Sequence, residues 1–284
     1  MSRIEKAIEK ASKIRNSARF EKTVEDKVDR PESRAVLDKE AITISDKVNV
    51  NNPYIITFND PDSPISEEYR NLRSMVVRLT EQEDFKNTLM ITSTLASEGK
   101  SVTALNLAIT LAQEYDHSVL LVDADLRNPF LHRYLNIKPG IGLSNCLING
   151  YDIEEALINT GIGKLTFLPA GREVADPAEI LSSRKMKELI SEMKHRYSDR
   201  YIIIDTPPIL PFAETRSISA LVDSILFVVK EGSVPLNDIK DALNILKDSN
   251  VLGIVYNDVG VENLRSRYSY YYKKYPGDGD GVRE

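Results

Sequence analysis

One short stretch of the sequence has the residue types of a phosphate-binding loop. The segment Ser97-Glu98-Gly99-Lys100-Ser101 follows the apolar run TLMITS and opens a stretch with helical spacing. Backbone N–H groups at a helix start attract phosphate oxygens, a lysine adds positive charge, and a serine hydroxyl can bind Mg²⁺. The usual loop begins with a glycine, and Thr94 takes that place here. Taken alone, the segment is also compatible with an ordinary strand-to-helix turn.

Three aspartates follow two other apolar runs. Asp123 and Asp125 lie in SVLLVDADLR together with Arg127, and Asp205 ends the run YIIID before two prolines. Carboxylates at positions i and i+2 of an extended segment point the same way. Each aspartate could be a plain helix cap. Three acids at two strand ends, beside a phosphate loop, instead favour a site for Mg²⁺ and ATP, because Mg²⁺ prefers oxygen ligands near a polyphosphate.

Alternating apolar and helical patterns predict the elements that must position these residues. Apolar runs rich in Ile and Val suit strands covered on both faces, and their alternation with helices predicts a doubly wound α/β domain with a mainly parallel sheet. In such sheets ligands bind beyond the carboxyl ends of the strands. The predicted strands are 88–93, 118–124, 164–169, 201–205, 223–229 and 251–257, and the predicted helices are one capped by Ser66, 100–115, 177–197 and 236–247.

Composition narrows the function classes. The chain has 284 residues, 42% of them hydrophobic and 28% charged, which is ordinary for a soluble globular protein. The net charge of -6 argues against a general nucleic-acid binder. The single cysteine, Cys146, excludes a framework of internal disulfides. No apolar run approaches the roughly 20 residues of a membrane span, so we expect a cytoplasmic protein that reaches a membrane only through a partner.

The two ends of the sequence differ from its middle. Residues 2–19 predict an amphipathic helix, which either lies on its own domain or docks on a partner or an anionic membrane surface, and a charged linker follows to residue 52. The last segment, 261–284, carries a cluster of tyrosines on a stretch with few residues that could pack. These are Tyr268, Tyr270, Tyr271, Tyr272 and Tyr275. The cluster is either a set of phosphate acceptors or an adhesive interaction segment.

These motifs together resemble the bacterial tyrosine kinases that regulate polysaccharide export. Lys100-Ser101, Asp123-x-Asp125-x-Arg127 and Asp205-Thr-Pro-Pro stand in that family's order, as does Glu67-x-x-Arg70-x-x-Arg73. The family has a P-loop fold related to the MinD and ParA ATPases, and the H-R-D and D-F-G segments of eukaryotic kinases do not occur in this sequence. The N-terminal extension is similar to that of tyrosine autokinases paired with exosortase-type systems.

Two positions depart from related patterns. Family members commonly have glycine where this chain has Ser97, so the loop backbone is expected to be less free. The MinD and ParA group has a lysine at the position of Leu95, and its absence favours the kinase branch.

The resemblance implies a role for each motif. Asp123 is the expected base. Further catalytic roles are expected for Lys100, Asp125 and Arg127. Arg127 either stabilises charge or orients Asp123. Mg²⁺ is expected on Ser101, Asp125 and Asp205, and subunit contacts in a ring are expected at Glu67, Arg70 and Arg73. Asn257 is expected to read the adenine edge. The expected ATP-binding set is Ser97, Glu98, Gly99, Lys100, Ser101, Val102 and Asn257.

The implied function is an ATP-dependent tyrosine autokinase with its kinase domain at residues 53–260. It is expected to phosphorylate the tail in trans within a ring and to regulate polysaccharide polymerisation or export. The implied partners are a membrane-spanning polysaccharide co-polymerase that activates the kinase, and a cognate phosphotyrosine phosphatase. Two other functions stay open: a non-kinase ATPase that acts as a MinD-like assembly switch, and a nucleotide-binding assembly platform without turnover.

Overall fold

A seven-stranded sheet runs through the part of the chain that the computed structural model describes, residues 52–81, 84–138, 140–196 and 199–260. Its strands are β1 (Thr88–Ser93), β2 (Ser118–Asp123), β3 (Ile158–Asn159), β4 (Leu165–Leu168), β5 (Arg200–Asp205), β6 (Ser224–Lys230) and β7 (Val251–Asn257). Their order is β3-β4-β2-β5-β1-β6-β7, and every neighbouring pair is parallel except β3 with β4. The predicted mainly parallel α/β sheet is confirmed.

Helices cover both faces of this sheet. They are α1 (Ile56–Asn59), α2 (Pro64–Thr80), α3 (Lys100–Ala112), α4 (Leu131–Tyr134), α5 (Leu143–Asn149), α6 (Ile153–Ala156), α7 (Pro177–Leu181), α8 (Arg184–Arg196), α9 (Ala213–Ser219) and α10 (Leu236–Ile245). Successive strand residues face opposite sides, so Leu89 and Ile91 join a core under α2 and α3, whereas Met90 joins the core under α8 and α10. Within the described ranges, no helix combines the length and hydrophobicity that a membrane span requires.

The structure corrects two helix predictions. One concerns the residue that caps α2, and the other concerns whether residues 177–197 form a single helix. The cap of α2 is Ser63, whose side chain accepts a hydrogen bond from the Ser66 backbone N–H, and Pro64 takes the first helical position. The hydroxyl of Ser66 instead donates to the carbonyl of Asp60 at 2.6 Å. The predicted helix 177–197 is two helices, because Ser183 accepts a hydrogen bond from the Met186 N–H and starts α8 anew.

Candidate active site

The loop between β1 and α3 has a backbone that only certain residues tolerate. Gly99 has φ +92°, and a Cβ added there would lie 2.0 Å from Nδ2 of Asn257. Glycine is therefore required at this position for both conformation and space. Ser97 also has a positive φ, of 66°, in the left-handed region where L-residues are uncommon. The predicted restriction at Ser97 thus takes the form of a strained backbone.

Glu98 connects this loop to the ends of two strands. Its side chain is fully buried, and its two carboxylate oxygens accept hydrogen bonds from the backbone N–H groups of Leu95 at 2.6 Å and Lys230 at 3.3 Å. Its backbone carbonyl accepts a hydrogen bond from Nδ2 of Asn257 at 2.9 Å. Glu98 and Asn257 therefore hold the loop against the carboxyl ends of β6 and β7. This support by the Glu98 side chain was not foreseen from the sequence.

The predicted lysine and aspartates lie together at the carboxyl ends of the strands. Nζ of Lys100 is 2.8 Å from Oδ2 of Asp125, 3.9 Å from Oδ1 of Asp205 and 3.3 Å from Oγ of Ser101. Asp123 and Asp205 are register partners across β2 and β5. All three carboxylates are almost completely buried. The fold thus gathers in one place the groups that the three sequence motifs supply.

Burial and crowding of charge shift the pKa values at this site. Burial raises the pKa of Asp205 to about 6, against the opposing effect of the Lys100 ammonium. Burial, with the charges of Asp205 and Asp125, raises the pKa of Asp123 well above its usual range. Burial lowers the pKa of Lys100, but the carboxylates of Asp205 and Asp125 outweigh that effect and leave it raised. The lysine therefore stays charged, and the two strand-end acids hold their protons unusually tightly.

Backbone groups orient Asp123. Its Oδ1 accepts a hydrogen bond from the N–H of Asp125, and its Oδ2 accepts one from the N–H of Leu131, the first residue of α4, each at 3.3 Å. Asp125 is fixed in a similar way, since its Oδ1 accepts a hydrogen bond from the N–H of Asn128 at 3.1 Å. The loop that follows β2 thus folds back onto its own carboxylates.

Arg127 has partners that the sequence did not indicate. Its Nε donates to the carboxylate of Glu214, and its guanidinium lies 4.7 Å from the centre of the Phe212 ring. Both partners follow β5 along the chain. An acid near a helix start is so common a feature that Glu214 carried no distinctive sequence signal. Of the two roles considered for Arg127, these contacts favour charge stabilisation, because backbone groups already orient Asp123.

The donor set fits a magnesium ion. Oδ1 of Asp205 is buried and has no hydrogen-bond partner among the described residues. The hydroxyl of Ser101 and the carboxylate of Asp125 lie beside it around Lys100. No group of three or more His, Cys, Asp or Glu among the described residues has the arrangement of a complete metal site. Mg²⁺ is usually held by one or two carboxylates and takes its other ligands from phosphates and water. The residues present match that type of site.

Comparisons with known proteins decide the family. A family model described as an AAA domain matches residues 88–251, more than half of the chain. The tyrosine-protein kinase YwqD of Bacillus subtilis is 35% identical over 220 residues, covering 76% of this chain and 90% of YwqD. The putative tyrosine-protein kinase CapB of Staphylococcus aureus is 31% identical, covering 74% of this chain and 92% of CapB. This chain belongs to the bacterial tyrosine kinases.

One further relative and two solved structures are also similar to this kinase. The succinoglycan biosynthesis transport protein ExoP of Rhizobium meliloti is 30% identical over 76% of this chain, a match that spans 29% of ExoP. The crystal structure of the chimerical protein CapA2B2 has a TM-score of 0.67 at 29% identity, covering 73% of this chain and 90% of the other. The kinase domain of the Escherichia coli tyrosine kinase ETK has a TM-score of 0.66 at 25% identity, covering 72% and 82%.

The fold of the kinase is also that of a MinD-type ATPase. The septum site-determining protein MinD of Pyrococcus horikoshii, complexed with Mg-ADP, has a TM-score of 0.52 at 24% identity, covering 63% of this chain and 76% of MinD. At this level of identity the likeness concerns the fold alone. It confirms the predicted fold group of P-loop proteins.

The remaining predicted residues of the kinase lie on α2, in α3 or outside the described ranges. Arg70 pairs with Glu67 and donates to the carbonyl of Pro61. Arg73 instead turns towards the segment just after α3, where its Nε is 2.9 Å from the Glu114 carboxylate. Val102 is half-buried in the first turn of α3. The predicted helix 2–19 and linker, and the tail tyrosines Tyr268, Tyr270, Tyr271, Tyr272 and Tyr275, lie outside the described residues.

Proposed function

We propose that this kinase transfers the γ-phosphate of ATP to tyrosines of its own tail, in trans, within a ring of identical subunits. The observation that supports this most directly is the cluster of Lys100, Asp123, Asp125 and Asp205 beyond the phosphate loop. Phosphoryl transfer depends mostly on positioning and charge stabilisation. A buried ammonium surrounded by carboxylates at a loop of this type supplies both.

Each part of the cluster has a task with the phosphoryl donor. Loop N–H groups and the Lys100 ammonium would bind the β- and γ-phosphates, and the rigid support from Glu98 would keep these donors in place. Ser101, Asp125 and Asp205 would hold Mg²⁺, which neutralises phosphate charge when bound. For Asn257 we retain the predicted contact with the adenine edge beside its bond to the loop.

Asp123 would act as the base. A tyrosine hydroxyl has a pKa of about 10, so at neutral pH it carries a proton that must leave as transfer proceeds. A carboxylate with a raised pKa is a better acceptor for that proton than an ordinary aspartate. The tyrosine oxygen would form its bond to the γ-phosphorus while the bond to ADP breaks, and the hydroxyl proton would pass to Asp123.

The place where the described chain ends is compatible with transfer to a neighbour. The described chain ends at Gly260 just after β7, on the same side of the sheet as the loop. From Asp258 to Tyr268 the chain can reach roughly 35 Å when extended. Basic residues in the tail region would be attracted to the acidic cluster; these are Arg265, Arg267, Lys273 and Lys274. We infer that subunits meet through α2 at Glu67, Arg70 and Arg73.

The proposed partners are supported by the polysaccharide system named for one relative. ExoP is named a transport protein of succinoglycan biosynthesis, and most of its length lies beyond the matched part. CapA2B2 is named a chimera. We infer that a membrane-spanning polysaccharide co-polymerase recruits this kinase to the inner face of the plasma membrane and activates it, and that a phosphotyrosine phosphatase reverses its action.

Intact-mass measurement after incubation with Mg-ATP tests the function. We expect added phosphates on the peptide 268–275, with a higher rate when a cytosolic fragment of the co-polymerase is present. Lys100→Met should abolish them. Lys187→Met, which removes an exposed lysine of α8, is the matched control and should leave them unchanged.

The same experiment separates the other candidate functions. The fold that this chain shares with MinD supports an ATPase that acts as an assembly switch as the second candidate function. ADP release without phosphotyrosine would support that switch and contradict the kinase. Nucleotide binding without ADP release or phosphotyrosine would instead support an assembly platform.

A further inference from the structure

An ion pair links the loop that follows β2 to α9, the helix that follows β5 along the chain. Arg127 lies two residues beyond Asp125, and Glu214 lies in the first turn of α9, 87 residues further along the chain. Their side chains meet through Nε of Arg127 and Oε1 of Glu214. The pair therefore joins the segment that follows Asp123 to the segment that follows Asp205. Asp123 and Asp205 are themselves register partners in the sheet.

Glu214 has an environment that is unfavourable for a charge with a purely structural role. Its side chain is 1% exposed, and its second carboxylate oxygen is buried and has no hydrogen-bond partner in the part of the chain that the structure describes. Burying a carboxylate that is only half satisfied costs free energy. The Arg127 side chain, by contrast, is 37% exposed. The fold thus buries an acid in order to hold an arginine that still faces the solvent.

The contacts that Arg127 makes with the described residues leave most of its donors free for a ligand. A guanidinium has five N–H donors in a planar fork, and the bond to Glu214 uses the one on Nε. Phe212 lies against the guanidinium at 4.7 Å and limits its movement out of that plane. The terminal nitrogens have the geometry that suits phosphoryl oxygens.

We propose that Glu214 is a positioning residue for phosphoryl transfer. It orients the guanidinium of Arg127, with Phe212 against the guanidinium, so that the terminal N–H groups meet the phosphoryl oxygens as they pass from ATP to tyrosine. This inference rests on the proposed function, because it assigns Arg127 to the transferred group. It adds two residues outside the sequence motifs to the apparatus of the reaction.

A double-mutant cycle distinguishes positioning from a merely structural role. The enzymes are the wild type, Arg127→Ala, Glu214→Gln and the double variant, with the Lys100→Met chain as acceptor. We expect Arg127→Ala to lower kcat about 100-fold, as loss of a donor to the transition state does. Glu214→Gln should lower kcat roughly 10-fold and leave the KM for ATP within about 2-fold, since misplacement affects the chemical step. In the Arg127→Ala background it should change kcat less than about 2-fold.

Two further variants keep the test decisive. Glu214→Asp retains the charge and should recover part of kcat, and Phe212→Leu should lower kcat only while Arg127 is present. They serve in place of Glu214→Gln if that protein does not fold, as judged by circular dichroism. Equal reductions of kcat by Glu214→Gln in both backgrounds would overturn the proposal, as would a change in melting temperature without a change in kcat.

Failure of the proposed function would give a different result. If the wild type forms no phosphotyrosine, the kinase proposal fails whatever Glu214 does. The rate of ATP hydrolysis then replaces kcat in the same four-protein cycle. Non-additivity of the two substitutions in that rate would still support positioning, and additivity would refute it.

Discussion

Single residues set the energetics of this site, and Asp205 shows how. Its carboxylate is buried, its pKa is raised to about 6, and its Oδ1 finds no hydrogen-bond partner within the described ranges. The unfolded chain has no such constraint, and an aspartate there titrates at about 3.9. The native protein therefore binds the Asp205 proton more tightly than the unfolded chain does. The contribution of Asp205 to the free energy of unfolding is therefore fully present below about pH 4, and it is lost as the pH rises through about 6.

The first prediction concerns this loss of stability. Asp205→Asn removes the buried charge, so in the absence of Mg²⁺ and nucleotide it should raise the free energy of unfolding at pH 8 by roughly 3 kcal/mol and change it little at pH 4. Urea denaturation at both pH values measures the effect. Asp248→Asn changes an exposed aspartate of the same charge and serves as the control. An unchanged dependence on pH in Asp205→Asn would contradict the assigned cause.

The second prediction separates backbone strain from a steric clash at the phosphate loop. Gly99 and Gly232 both have positive φ, but a Cβ at Gly232 would meet nothing within 4 Å, whereas at Gly99 it would meet Asn257. Gly232→Ala should cost about 1 kcal/mol of stability through strain alone. Gly99→Ala should cost more and should weaken ADP binding at least about 10-fold, because the loop must shift.

Calorimetric titration and urea denaturation check these effects. Adding Asn257→Ala to Gly99→Ala removes the clashing amide and should recover part of the stability. If Gly99→Ala binds ADP as tightly as Gly232→Ala does, then the contact with Asn257 does not constrain the loop.

The bounds of helices and strands were predictable from the sequence where a local pattern of residue types determines them. β1 and β7 have the predicted bounds, and β2, β4, β5 and β6 deviate by one residue at one or both ends, because apolar runs between turn signals identify buried parallel strands. The split between α7 and α8 was missed, since a serine inside a helical pattern is as often a surface residue as a cap. The antiparallel β3 has two residues, too few for a sequence pattern.

Contacts between distant elements were predictable from the sequence only where the fold class decides them. The approach of Lys100 to Asp125 and Asp205 was predictable from fold class, because parallel strand ends meet at one edge of the sheet. The pairing of Arg127 with Glu214 depends on how a loop and a helix pack 87 residues apart in sequence. Likewise, the support of the loop by Glu98 depends on where β6 ends.

The third prediction concerns the attachment of α1 to α3. Oδ1 of the buried Asn106 accepts hydrogen bonds from the N–H of Thr57 at 3.1 Å and from its hydroxyl at 3.0 Å, and Nδ2 donates to the carbonyl of Tyr54 at 2.8 Å. Asn106→Ala should cost about 2 kcal/mol, because it leaves buried groups unpaired. Hydrogen exchange should then rise at residues 54–59, which that side chain holds.

The exposed Asn244 of α10 provides the matched control for this element. Asn244→Ala should change stability by less than about 0.5 kcal/mol and leave exchange at residues 54–59 as it is. Equal exchange in the Asn106→Ala protein and the wild type would show that other contacts hold α1 in place.

At the scale of the whole molecule, the order of the strands explains how both halves of the sheet contribute residues to the same site. β1 lies between β5 and β6, so the phosphate loop starts at the centre of the sheet. β5 and β2 bring Asp205 and Asp123 from one side, and β6 and β7 bring Lys230 and Asn257 from the other. The segment that leads to the tail therefore begins beside the loop between β1 and α3.

The fourth prediction concerns charge on the whole molecule. Each phosphotyrosine adds about -1.5 to -2 charges, so four or five of them add roughly -6 to -10 to a chain of net charge -6. Tails crowded near subunit contacts would then repel one another. We expect the wild type to assemble when unmodified and to dissociate after incubation with Mg-ATP, and we expect salt to suppress the dissociation because it screens charge beyond about 10 Å at 0.1 M.

Light scattering coupled to size exclusion measures this change in mass. A variant with phenylalanine at all tail tyrosines should stay assembled in Mg-ATP; the positions are Tyr268, Tyr270, Tyr271, Tyr272 and Tyr275. Tyr115→Phe is the control, because Tyr115 is 94% exposed but lies outside the tail, and this variant should dissociate like the wild type. If the phenylalanine tail dissociates as readily as the native tail, then nucleotide turnover rather than phosphate charge separates the subunits.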